Sequence, residues 1–442
     1  MRNETPQATS FTSKRAHHPW LATYVCVYLV GWGSACHTQN PMGSGEAGSG
    51  RSSDSNDETG MAGTTTGSAP ELERRDVLAS IASNVIVPAI AAFSSDADGL
   101  EQAVSAHVAA LTNGGDDPTT TLVSAQQSWH TAMAQWQRLE VMQVGPAASS
   151  LDAIAGENRR DAIYSWPTVN TCAIDRALAD ETFLGPDFLS ESAVYVFGLD
   201  ALEYLLFMRE PGHTCPPQIQ LEGPWTALGL AEVERRRAEY AQVLAQEISR
   251  QAHALEDRWA PSKDDFAGLL AKPGVGDSPY PDDREALDQV FRAMFYVDLV
   301  TKDAKLGRAL GLQEGCISVP CPDLLELPWS GDAALALAAN LEALRDLVIG
   351  GQNRDSAHGF DDLLEQDGHG EIANTLLGDI DAAIDVCRAF DKPLQGVLAS
   401  DTGLAQVRDL YDAIKRVTDT LKNSFVLALM LTVPSDGDGD ND

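Results

Sequence analysis

Two carboxylates three residues apart, Asp200 and Glu203 in the stretch FGLDALEYL (197–205), carry the strongest chemical signal in the chain. On a helix, residues i and i+3 share a face, so both acids project together. Val196, Phe197, Leu199, Leu202, Leu205 and Leu206 surround them with apolar side chains, which predicts a helix buried over most of its circumference. Ionised carboxylates in such a place are costly unless paired, protonated or bound to a cation. Two oxygen donors suit ferric iron, manganese, calcium or magnesium better than zinc. A purely structural alternative stands beside the metal reading. In it, Asp200 and Glu203 pair with Arg138, Arg176 or Arg209, or accept hydrogen bonds from helix termini.

Other chemistries find little support. No HExxH occurs, so a conventional zinc-peptidase helix is absent, and a zinc mechanism would also need an open metal position and a base. There is no GxSxG elbow, phosphate-binding glycine loop or dinucleotide fingerprint. His107, His130, His213, His253, His358 and His369 show no paired ligand spacing, and Cys387 and Ser330 lack a recognisable base partner. Trp129, Trp136 and Trp166 could line a ligand pocket, but their amphipathic spacing favours core packing.

The elements that must position these residues are helices. In ELERRDVLASIASNVIVPAIAAF the residues Leu72, Leu78, Ile81, Val85, Ile86 and Ile90 fall mostly at three- and four-residue spacing. Similar patterns predict helices near 119–140, 191–208, 225–258, 283–310, 331–349, 369–389 and 402–430. Asp117, Ser190 and Ser330 are expected N-caps, and Gly311 and Gly350 expected stops. Convincing alternating strands are missing, so the expected fold class is all-α, two packed helical bundles. A Pro/Gly-rich break between Pro261 and Pro281 divides the folded part, 71–434, into lobes of about 71–260 and 280–434.

The ends of the chain address it. A basic start with Arg2, Lys14 and Arg15 precedes the apolar run WLATYVCVYLVGW (20–32), too short to span a bilayer but suited to a signal-peptide core. Gly33-Ser34-Ala35-Cys36 is similar to a bacterial lipobox, which makes 1–35 the signal peptide and Cys36 the lipid-bearing first mature residue. Gly33 departs from the usual aliphatic residue, so ordinary secretory cleavage stays open. No later segment is expected to be long and apolar enough to cross a membrane. Residues 37–70 are Gly, Ser, Thr, Asn and Asp with almost nothing to bury, and read as a disordered linker. Such a linker would hold the folded part ~30 Å from the anchor. Residues 435–442 read as an acidic tail.

A net charge of −34 from 65 acidic and 31 basic residues argues against nucleic-acid binding, which draws on Lys and Arg. In an exported protein disulfides are permitted. Cys316 and Cys321 bracket a short loop and are expected to pair; Cys172 with Cys215 is the next bridge, which leaves Cys387 unpaired and buried. Zinc ligation by these cysteines is weakly supported, with no second CxxC or nearby histidine pair.

Several landmarks in order resemble the imelysin-like family, also called insulin-cleaving membrane protease or iron-regulated protein A. WHTAMAQWQRLEVMQVGP, from Trp129 through Glu140 to Gly145 and Pro146, is similar to that family's tryptophan helix and Gly-Pro turn. Tyr164-Ser165-Trp166-Pro167 followed by Ile174-Asp175 is similar to its WP…ID segment. FGLDALEYL, with Gly198, stands where the family carries GxHxxE, and KLGRALGL (305–312), then Glu326 to Ser330 in ELPWS and Asn340, follow. The resemblance spans nearly the whole folded part, with Asp200 in the histidine position. It implies a two-bundle helical fold, export to the periplasm, outer membrane or cell surface, and a link to iron. It also brings Glu140 next to the motif as a third candidate ligand beside Asp200 and Glu203, with Glu326 a weaker candidate. The leading expectation is a non-enzymatic lipoprotein binding a metal ion, iron or another hard cation rather than zinc, or an iron-containing ligand between its bundles. Such a protein would act in iron uptake or homeostasis, with iron-uptake components as partners. The alternatives are a metal-dependent peptidase of the imelysin type and a non-catalytic surface scaffold.

Overall fold

The computed structural model describes residues 72–151 and 153–433. The expected signal peptide, Cys36, the linker and the acidic tail lie outside the described residues. Among those that are described there is no β-strand, and nearly all the regular structure is helical.

The first long helix, α1 (Arg74–Asn113), buries Val77, Leu78, Ile81, Val85, Ile86, Ile90 and Phe93 as the apolar spacing predicts. It widens into a π-helical turn at Ile81–Ile86, just before Pro88. A proline inside a helix removes a donor and crowds the preceding turn, and a wider turn relieves that crowding. In length and composition α1 would be able to cross a membrane, which corrects the expectation that no segment after the leader could. Here its apolar face packs along α2 (Pro118–Glu140) and α5 (Leu230–Trp259), so it is a core helix of the bundle. α2 starts where Asp117 accepts from the Thr120 amide at 3.0 Å, with Pro118 in the first turn, where its missing donor costs nothing.

Two shorter helices of the first half bear on the site: α3 (Thr171–Ala179), capped by Asn170, and α4 (Leu199–Phe207). α4 begins eight residues later than the expected helix at 191. Ser190 caps nothing there; it lies inside the short helix Phe188–Glu191, and only a 3-10 turn at Val194–Val196 intervenes before Gly198.

The second half contains α6 (Asp283–Met294), running on into a π-helical segment at Val297–Gly307, then α7 (Ala333–Val348), α8 (Gly370–Arg388) and α9 (Asp401–Thr420). α7 packs on α8, α8 on α9, and α9 on the π segment, closing a second bundle. α7 also lies along α2, which joins the two bundles, and the start of α1 meets α6. Asp332, not Ser330, stands before α7. Gly350 follows the end of α7 with positive φ, whereas Gly311, also with positive φ, lies in the turn after the π segment, which already ends at Gly307. Trp129, Trp136 and Trp259 are fully buried, each contributing several kcal/mol of apolar burial on the order of other large side chains.

Two disulfides are present, Cys172–Cys215 and Cys316–Cys321, and Cys387 is a buried free thiol. The first ties α3 to the loop after α4 across 43 residues of chain. Closing a loop of that length restricts the unfolded ensemble, so Cys172→Ala with Cys215→Ala should lower unfolding free energy by about 4 kcal/mol in urea titrations. A loss under ~0.5 kcal/mol would show that the loop is already held by its other contacts.

Candidate functional site

α4 is fastened from its first residue. Gly198 has φ +97°, and a Cβ there would lie 3.0 Å from both the Ile163 carbonyl oxygen and Asp200 Oδ1. Only glycine fits this entry without displacing its neighbours. Trp129 Nε1 donates to the Leu199 carbonyl at 2.9 Å, so the tryptophan helix α2 fixes the first turn of α4. Near the other end, Tyr204 donates to Asp175 at 2.8 Å, and Asp175 also accepts from the Thr214 amide and hydroxyl. Asp175 thereby joins α3, α4 and the disulfide-tethered loop.

Between these anchors sit Asp200 and Glu203, both buried. Asp200 accepts from the Ser165 hydroxyl at 2.7 Å and from the Ala201 amide at 3.0 Å. Glu203 Oε1 takes three donors: the Trp329 amide at 3.2 Å and the amide and hydroxyl of Ser330, both at 2.8 Å. No Lys, Arg or His lies within ion-pair distance of either acid among the described residues. Arg138 instead pairs with Glu342 and Asp346, and Arg209 with Glu234. Burial raises Asp200 to about 6, with the Ser165 bond opposing it. Burial raises Glu203 to about 8 against the bonds from Ser330 and Trp329, and the Asp200 charge adds to the rise.

A second acidic group is compensated by charge. Glu326 Oε1 accepts from Tyr164 at 2.6 Å and Gln137 at 2.9 Å, while its Oε2 lies 3.0 Å from Lys305 Nζ. Lys305, itself fully buried, donates further to Gln137 Oε1 at 2.5 Å and Asn340 Oδ1 at 2.9 Å. Asn340 returns a bond to the Gln137 carbonyl at 2.6 Å. Tyr164 links the groups: burial, then the charges of Glu326, Asp200 and Glu203, hold its hydroxyl protonated well above the usual range. Beyond Lys305, the buried Glu140 accepts from Arg160 Nε and Nη2, both at 3.2 Å, and from the Tyr296 hydroxyl at 2.5 Å.

The three candidate ligands are therefore not gathered on one point. Asp200 and Glu203 share a helix face, but Glu140 is held by Arg160 and Tyr296 in a different part of the network. Among the described residues no three Asp, Glu, His or Cys side chains converge as a metal site would require. A bare cation does not fit the donor set as it stands. Trp129, Trp166 and Asp175 serve as supports, and Gly145 (φ +53°) with Pro146 makes the turn after α2, packed so close to Phe266 that a Cβ would overlap its ring. Glu326 and Ser330 are brought in as partners, of Lys305 and Glu203. Sequence reasoning missed Arg160 and Tyr296 altogether, and no spacing rule links either to Glu140.

The network reaches solvent at a cleft of about 620 Å³. Arg160, Trp166 and Gln143 line it from the first half of the chain, and Arg292, Tyr296 and Arg308 from the second. A larger groove of about 930 Å³ lies along α1, α2, α7 and α8, but its arginines are matched by acids: Arg138 and Arg388 by Glu342, and Arg345 by Asp381. A ligand in the cleft would touch Arg160 and Tyr296, the two partners of Glu140.

Comparison with known proteins gives a consistent picture. The family model described as imelysin, peptidase M75, matches residues 86–421. The chain is 26% identical over 342 residues to the iron-regulated protein A of Synechococcus elongatus, covering 76% of this chain and 82% of that protein. It is similar in structure to a putative iron-regulated protein A precursor from Parabacteroides distasonis, with TM-score 0.60, 17% identity, and coverage of 81% of this chain and 97% of the other. An imelysin-like protein from Psychrobacter arcticum matches equally, with TM-score 0.60, 17% identity, and coverage of 82% and 96%. These two structures share the fold.

Two consequences of the buried charges can be measured. Glu203 binds its proton more tightly folded than unfolded, so its favourable contribution is complete below the ordinary value of 4.5 and is lost as pH rises through about 8. Over that window wild-type stability should fall relative to Glu203→Gln by at most ~1.4 kcal/mol per pH unit in urea titrations; parallel profiles would refute the shift. Arg160→Met leaves Glu140 buried without a cation and should cost about 3 kcal/mol, part of which Glu140→Gln in the same chain restores. Equal losses in the single and double variants would mean that Glu140 does not depend on Arg160.

Proposed function

The chain belongs to the imelysin family, and from that premise we propose that it is an exported, iron-linked binding protein that receives iron within a chelate, between its bundles. The cleft over Arg160, Trp166 and Tyr296 carries this reading. It is walled by both halves of the chain and backed by a pre-satisfied network of Glu140, Lys305 and Glu326. Ligand pockets form in such concave sites between packed elements. The relatives named for iron regulation support the link to iron. The acids expected as metal ligands favour a chelate over a bare ion, because each already has protein partners.

In this reading Asp200 and Glu203 are organisers of the bundle interface. Asp200 stands where the family motif has histidine, which removes a nitrogen donor from any hydrolytic metal centre. The leader with Cys36 and the linker behind it would deliver the folded part to a membrane surface on a tether, facing iron-uptake components.

The test is retention of iron by the purified mature protein after incubation with ferric chelates and gel filtration. Near-stoichiometric iron is expected with a chelate present. Ala304→Trp, which fills the cleft from the π segment, should reduce retention at least tenfold, while Asp200→Asn and Glu203→Gln leave it within about threefold. Iron held without any chelate and lost in Asp200→Asn would replace the chelate reading with a bare-ion site. Chelator-sensitive cleavage of a denatured protein, lost in Glu203→Gln, would put the peptidase alternative first.

A further inference from the structure

The cleft brings two arginines without an acidic partner into one concave site. Acids outnumber bases by more than two to one in this chain, so a basic side chain usually finds an acid within reach. Arg292 and Arg308 do not. Neither has an ion pair or side-chain hydrogen bond among the described residues, and neither is fully exposed. Both line the same cleft, one from the last turn of α6 and one just after the π segment.

The third arginine, Arg160, is engaged with Glu140 and Asp161, and Asp161 is the sole acid in the cleft wall among the described residues. Its charge is taken up by Arg160 and by solvent. The cleft thus holds two uncompensated guanidinium groups in a protein of net charge −34, with the amides of Gln143 and Gln289 beside them. Guanidinium groups bind carboxylate and phosphate oxygens through paired, charge-assisted hydrogen bonds, and partly buried sites strengthen them.

We propose that Arg292 and Arg308 select a small anion carrying at least two carboxylate or phosphate groups, so that the ligand of the cleft is a negatively charged chelate. The inference rests on the chelate reading above and names its ligand class. An uncharged or cationic chelate would leave both arginines without a counter-charge. An anionic one supplies two, and the overall negative field of the protein then makes this cleft the preferred landing place for it.

The test uses calorimetry on the full mature protein with three probes: iron-free citrate, ferric citrate and the cationic hydroxamate chelate ferrioxamine. Ferric citrate should bind, and Arg292→Gln with Arg308→Gln should weaken it at least tenfold, the range expected for losing charge-assisted bonds. Arg408→Gln, outside the cleft, should leave binding unchanged and controls for net charge. Far-ultraviolet circular dichroism and urea midpoints confirm that the variants fold. Inorganic phosphate in competition distinguishes a phosphate preference from a carboxylate one. Binding of ferrioxamine with none of either anion would overturn the anion inference and leave the chelate reading intact. Equal binding of citrate with and without iron would keep the anion site and remove iron from it. Unchanged citrate binding in the double variant would overturn the assignment to these arginines.

Discussion

Lys305 and Glu326 lie 3.0 Å apart with almost no exposure to water, and most of the architecture around them exists to make that tolerable. Removing two charges from water costs several kcal/mol per ion, and attraction between them offsets this only when the remaining donors and acceptors are also satisfied. Here they are: Gln137 bridges both charges, Asn340 accepts from the lysine, and Tyr164 donates to the glutamate. These five residues come from α2, the loop before α3, the π segment, the turn before α7 and α7 itself. A shift of α7 along α2 would break several bonds at once. The ion pair adds little net stability by itself, but it leaves few registers in which the two bundles can dock.

The acids on α4 follow another solution to the same problem. Asp200 and Glu203 receive no cation and are compensated by neutral donors from Ser165, Trp329 and Ser330. That is enough to orient them but does not offset burial, so both titrate upward, Glu203 further than Asp200. One interior therefore contains a charged half, around Lys305 and Glu140, and a half that is close to neutral, around Glu203. Tyr164 forms the boundary between them.

Much of the fold was legible because helical spacing of apolar residues is a local property. α1, α2 and α7 sit close to where their periodicity places them, and Asp117 caps α2 as its position implies. The start of α4 was not legible: Ser190 has the chemistry of a cap, but the chain there is governed by Gly198 packing against the Ile163 carbonyl. The site was half legible. A pair of acids on an apolar helix announces itself, as does Glu326 within a recognisable landmark. Whether such acids meet cations depends on residues such as Arg160 and Tyr296, brought in from 20 and 156 positions away from Glu140. No short-range pattern encodes that meeting: of the expected arginine partners of Asp200 and Glu203, Arg138 and Arg209 pair with other acids and Arg176 is exposed without an ion pair among the described residues.

The bond between Cys172 and Cys215 has a bearing on when this interior is finished. It closes beside the Asp175 clamp that holds Tyr204, and so beside the helix that carries Asp200 and Glu203. A thiol pair remains open in a reducing compartment and joins in an oxidising one. Without the bridge, the acid-bearing helix is still held at this end by the hydrogen bonds of Asp175. The redox state of the surroundings therefore decides whether this end of the interior is covalently closed.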